Sequence, residues 1–200
     1  MGANKIFKDF RMNNKLEDKG SRLGRRRMKA LYIGHYREGT GWGQAAIDYI
    51  LALDSAGVDV VCRPIKLNDN NPEIPERVAE LEAKPLSGST HCIQHVLPHL
   101  MDYNGRFEKN IGLFVTETST IKYTGWPQRL KQMDEIWVPC VDNFLSAMDG
   151  CPGANIKVIP HATDVSRFEE DWKPLEIPYA EDRHVFYFIG ENIRRKRISA

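Results

Sequence analysis

Short apolar runs, each closed by glycine, proline or a polar tip and separated by helical or loop segments, constrain this chain most. They are Lys29-Ala-Leu-Tyr-Ile-Gly34, Val58–Cys62, Thr90–Leu97 before Pro98, Ile111–Val115, Glu135–Val138 before Pro139, and Ile156–Ile159 before Pro160. Runs of this length are too short for helices and too continuous for strands wetted on one face. They predict strands buried on both sides. Between them, Gln44–Ala56 places Ala45, Ala46, Tyr49, Ile50 and Leu53 at helical spacing, with Gly57 as its stop. Glu76–Ala83, Pro127–Met133 and Asp142–Met148 predict shorter helices. Strand alternating with helix implies an α/β fold: a Rossmann-like parallel sheet with helices on both faces.

The 200 residues allow one domain or a little more. At 42% hydrophobic and 28% charged they exclude wholesale disorder. No apolar run approaches the length of a membrane-spanning helix. The net charge of +1 argues against a general nucleic-acid binder. That charge is uneven: residues 1–27 hold nine Lys/Arg against three acidic residues, net +6, and the remainder carries −5. The basic head lacks the apolar stretch of a secretory signal. It reads as a solvated, mostly disordered arm, with binding to anionic lipid or nucleic acid as the alternative. Met28 stands directly before the first strand, where the folded domain is expected to begin. Cys62, Cys92, Cys140 and Cys151 lack CxxC spacing and read as reduced thiols of a cytoplasmic protein.

Four groups of residues stand where chemistry is done in such sheets, at the carboxyl ends of strands. After Gly34 comes a loop with Gly39, Gly41 and Gly43, whose backbone can approach a ligand closely. The helix start that follows suits phosphate or sugar hydroxyls. These glycines begin five residues beyond Gly34, and the tip of the second strand ends in Arg63 with no acidic residue, so a nicotinamide site is a weaker reading. No GK[ST] and no GxSxG occurs. His91, His95 and His99 would face one side of a helix. In a strand His91 and His95 lie about 13 Å apart, which disfavours a metal and leaves His95 as a candidate at the strand's end. Glu117, within Thr116-Glu-Thr-Ser119, is placed either to contact a polar ligand or act as a base, or to cap a local turn. Arg194-Arg-Lys-Arg197 is either a solvated patch or a diphosphate clamp.

Several motifs in order resemble one family. Gly39-Thr-Gly-Trp-Gly43, Asp134-Glu-Ile-Trp-Val-Pro139, Lys157-Val-Ile-Pro-His-Ala-Thr-Asp164 with Phe168, and Phe186-Tyr-Phe-Ile-Gly190 with Arg195-Lys196 are similar to the retaining glycosyltransferases of family 4, the group 1 type. These have the GT-B fold, two Rossmann-like domains across a cleft. The resemblance implies transfer of a sugar from a nucleotide-diphosphate sugar to a carbohydrate or lipid-linked acceptor, with retention. It implies catalytic positions at His95 and Glu117. Donor and acceptor contacts would fall at Gly39, Gly41, Trp42, Gly43, Trp126, His161, Arg195 and Lys196. It implies no metal, because the Arg195 and Lys196 cations offset charge on the leaving nucleotide.

The family's base pocket, ribose-binding glutamate and Glu-x7-Glu motif do not occur before Ala200. The expected organisation is therefore a basic arm (1–27), an acceptor-side domain (28–163), a linker (164–183), and the first strand and loop of a donor domain (184–200). A missing C-terminal domain or a partner chain would complete the cleft, and the 200 residues alone are expected to be inactive or very weak. A non-catalytic carbohydrate-binding module is the alternative, and an NAD(P)-binding Rossmann protein a lower one. The expected location is cytoplasmic, with the basic arm suited to peripheral contact at the inner membrane surface; nucleic acid is not an expected partner.

Overall fold

A computed structural model describes residues 28–67, 72–169, 171–173, 175–178, 180 and 183–187. The chain divides between Asp164 and Val165 into two compact units. In the first, β1 (Lys29–Gly34), β2 (Asp59–Pro64), β3 (His91–His95), β4 (Lys109–Leu113), β5 (Glu135–Val138) and β6 (Ile156–Val158) form one sheet. All pairs are parallel, and the order is β2-β1-β3-β4-β5-β6. This is an α/β, Rossmann-like fold. The chain runs outward from β1 to β2, then crosses back to β3 on the other side of β1. The order thus reverses between β1 and β3, the place where open α/β sheets bind ligands.

Side chains alternate across the sheet and build two cores. Tyr32, Cys62, Ile93 and Leu113 share one face with Ala46, Ile47 and Ile50 of α1 (Gly41–Ser55) and Val78 and Leu81 of α2 (Glu76–Ala83). Ile136 and Val138 share the other with Leu130 of α3 (Trp126–Leu130) and Ala147 of α4 (Val141–Gly150). Helices therefore cover both faces, as buried parallel strands require.

Most element ends shift by one to three residues from expectation, and two of these shifts have clear local reasons. Helix α1 begins at Gly41 rather than Gln44, because the Thr40 hydroxyl accepts the Gly43 N–H at 3.2 Å and caps the first turn. Gly41, Trp42 and Gly43 therefore belong to a helix start and not to the loop. Strand β4 begins at Lys109 and stops at Leu113, not at 111–115. Its two polar leading residues find partners: Lys109 Nζ donates to Glu135 at 2.6 Å, and the Asn110 amide bonds the Asn104 backbone.

In the unit from Val165, Ser166–Phe168 forms a single 3₁₀ turn. The sequence places the first strand of a donor domain within residues 184–200. His184–Tyr187 carry no strand pairing, and 188–190 lie outside the described residues, as do the arm 1–27 and the Arg194–Arg197 run. Among the described residues no helix is long and apolar enough to cross a membrane.

Candidate functional site

His95 ends β3, and its register partner is Gly34, the last residue of β1. Both therefore lie at the carboxyl edge where the strand order reverses. His95 is 1% exposed. Its Nδ1 is 2.7 Å from the hydroxyl of Tyr32, two residues back from Gly34 in β1 and fully buried. Gly34 permits this approach, since a Cβ there would sit 3.1 Å from the Tyr32 ring and 3.4 Å from the His95 carbonyl oxygen.

The bond fixes a tautomer. Burial drives the Tyr32 pKa well above its ordinary value, so the phenol keeps its proton. Donation of that proton to Nδ1 satisfies the hydroxyl and places the imidazole proton on Nε2. The reverse would strand two polar groups instead of one. Nε2 is buried and has no hydrogen-bond partner among the described residues. Burial first, then His161 and His35, push the His95 pKa down to about 3. At neutral pH His95 is thus an uncharged donor.

Aromatic rings surround it. Trp42, in the first turn of α1, tilts over the imidazole with centroids 5.2 Å apart. Tyr49, seven residues on and so on the same helix face, stands perpendicular at 5.6 Å. The Tyr49 hydroxyl donates to the Ile159 carbonyl at 2.8 Å, which ties α1 to the segment after β6. That segment brings the exposed His161 to 5.6 Å from the Tyr49 ring. Residues from β1, β3, α1 and the β6 tip converge in one aromatic–histidine cluster at the carboxyl edge of the sheet: Tyr32, Trp42, Tyr49, His95 and His161. Aromatic walls with few aimed polar groups are the usual make-up of a small-molecule site.

The glycines serve the same place in different ways. Gly39 has φ +63°, the left-handed conformation that the turn into Thr40 needs. Gly43 lets α1 press on the preceding loop, since a Cβ would come 3.1 Å from the His35 carbonyl oxygen. Gly41 has open space around it. A cleft lined by Gly39, Thr40, Gly41, Gly43, Pro72 and Glu73 opens at the helix start.

The other expected residues stand elsewhere. Glu117 is exposed, in the turn after β4, the strand beside β3. Its neighbour Thr116 is clamped by Asn143 of α4, which accepts the Thr116 N–H at 3.1 Å and donates to its carbonyl at 2.8 Å. Trp126 packs edge-to-face on Phe114 at 5.8 Å, within the α3–α4 core. Arg195 and Lys196 lie outside the described residues. His91 bonds the Thr90 hydroxyl at the opposite end of β3 from His95. Among the described residues no three His, Cys, Asp or Glu side chains converge as metal ligands.

The guanidinium of Arg63, at the tip of β2, is held by the carbonyls of Cys62, Glu82 and Lys84, which engage three of its five N–H groups. The four cysteines are free, and burial raises the pKa of Cys62, Cys92 and Cys151.

Tyr32, Tyr49 and His35 were not singled out by sequence. Tyr49 had one readable signal, its spacing of seven from Trp42. Set against models of known protein families and against curated proteins, the chain matches none.

Proposed function

We propose that the cluster over β1 and β3 forms the site of the reacting sugar of a nucleotide-diphosphate sugar, and that this unit is the acceptor-side domain of a retaining GT-B glycosyltransferase. The observation that carries the reading is His95: an uncharged imidazole whose buried Nε2 proton has no partner, set under Trp42 at the reversal of strand order. A sugar ring offers hydroxyls to such a donor and an apolar face to such a ring.

The neutral state suits the chemistry. In sugar transfer the C1–O bond to the diphosphate breaks and a C1–O bond to the acceptor oxygen forms. The acceptor's proton leaves with the diphosphate. Positive charge develops around C1 in between. An imidazolium beside C1 would oppose that charge, and a neutral donor orients the ring without doing so. Glu117 is the candidate for the acceptor side. Arg195 and Lys196 are assigned the diphosphate by the motif resemblance alone. In the GT-B arrangement that the resemblance implies, a donor-side domain supplies the other wall of the cleft.

The test is ligand-observed NMR on the chain with glucose, galactose, mannose and N-acetylglucosamine, repeated with His95→Phe. Binding of at least one sugar that His95→Phe removes is the expected result. No binding, or binding indifferent to the substitution, contradicts the reading.

A further inference from the structure

His35 follows Gly34 at the tip of β1 and is 2% exposed. Its Nδ1 is 3.0 Å from the carbonyl oxygen of Ile65, just past the tip of β2. A carbonyl only accepts, so the proton of the neutral ring sits on Nδ1. The buried Glu38 carboxylate, 3.6 Å from the same nitrogen, reinforces that placement, and it also accepts the Leu67 N–H. Nε2 is left as a lone-pair acceptor, buried and without a partner among the described residues. The His35 ring stands nearly perpendicular to Trp42, with centroids 6.4 Å apart. Trp42 therefore packs against two imidazoles, and as neutral rings the two hold opposite tautomers: His95 offers a donor and His35 an acceptor.

We propose that His35 is a second polar anchor of this cluster, an acceptor that complements the His95 donor, so that the site selects a neutral ligand bearing hydroxyl groups over an anion. A hydroxyl both donates and accepts, so a polyhydroxylated ring satisfies both nitrogens. A carboxylate or phosphate oxygen satisfies His95 but leaves His35 facing a lone pair, which costs about as much as an unmade buried hydrogen bond. The inference rests on the transferase reading for the identity of the ligand and on the structure alone for the tautomers.

Two measurements test it. Long-range ¹H–¹⁵N NMR of the histidine-labelled chain reads both tautomers without any ligand. The expected result is a proton on Nδ1 of His35 and on Nε2 of His95; a proton on Nε2 of neutral His35 overturns the proposal. The second measurement compares His35→Asn and His35→Gln for binding of the same four sugars. Asparagine keeps an N–H at the δ position for Ile65 but lacks the ε nitrogen, while glutamine keeps an acceptor near the ε position. Loss of the acceptor should weaken sugar binding about tenfold in His35→Asn, the scale of one hydrogen bond. His35→Gln should stay closer to the parent. The reverse order makes His35 a strut for Ile65 and overturns the proposal. Sugar binding by the parent that His35→Asn leaves unchanged overturns the His35 role alone. A parent that binds no sugar at tens of millimolar overturns both this and the transferase reading.

Discussion

Replacing Tyr32 by phenylalanine removes one oxygen from the centre of the site and nothing else. The ring is 0% exposed, so its packing among Ala46, Ile93 and Leu113 survives, and no cavity larger than a hydroxyl opens. What is lost is the 2.7 Å bond to His95. A buried hydrogen bond contributes about 1 kcal/mol net, and stranding its partner raises the cost to 1–3 kcal/mol, so about 2 kcal/mol is expected. For a unit of this size that is a fall of about 6 °C in Tm. A second consequence is chemical. Without the phenol proton on Nδ1, His95 loses its bias toward the Nε2–H tautomer, and sugar binding should weaken along with stability. Thermal melts by circular dichroism report the first effect and histidine ¹⁵N shifts the second. A stability change below about 0.5 kcal/mol, together with unchanged His95 shifts, would mean that the hydroxyl does not set the tautomer, and the reasoning would fail.

Acid should destabilise the fold through His95. Its folded pKa of about 3 lies below the unfolded value of about 6.5, so the unfolded chain binds more protons between them. This contribution is complete above about pH 6.5 and declines by up to about 1.4 kcal/mol per unit as pH falls toward 3. Urea midpoints at pH 7.5 and 5 should differ less in His95→Gln than in the parent; equal differences contradict the assignment. Two glycines of one helix turn should respond oppositely. Gly43→Ala forces a methyl to 3.1 Å from a backbone oxygen and should cost about 1–2 kcal/mol. Gly41→Ala meets open space and should be neutral or stabilising by up to about 1 kcal/mol, both read by denaturant titration. Similar losses at both positions would contradict the close approach of α1 to the His35 loop.

Most strands were legible because a doubly covered parallel sheet writes them as apolar runs; β6, at the sheet edge, is half-buried to exposed and departs from the expected burial on both sides. Glu135–Val138 stands where its run predicts, Ile156–Val158 ends one residue short of its run at Ile159, and α2 spans Glu76–Ala83 as its spacing implies. The start of α1 was obscured by its own composition. Gly41 and Gly43 signal a loop until the Thr40 cap is seen, and that bond depends on backbone geometry. Lys109 and Asn110 hid the start of β4, because their partners lie far along the chain in Glu135 or in a folded loop at Asn104.

The site divides in the same way. His95 could be placed at a strand's carboxyl end from spacing alone. Tyr32 and Tyr49 look like ordinary core aromatics until strand register sets Gly34 beside His95 and the helix lays Tyr49 across it. His35 sits one residue past a strand, and only the carbonyl of Ile65, thirty residues away, reveals which nitrogen holds its proton.

The central claim is that the cluster around His95 binds a sugar, and saturation-transfer NMR with a panel of UDP- and GDP-hexoses tests it most directly. The account predicts transfer to the sugar ring protons of at least one donor, displaced by the matching free sugar and abolished in His95→Phe. Transfer confined to the nucleotide base, or a sugar signal that survives His95→Phe, would contradict it.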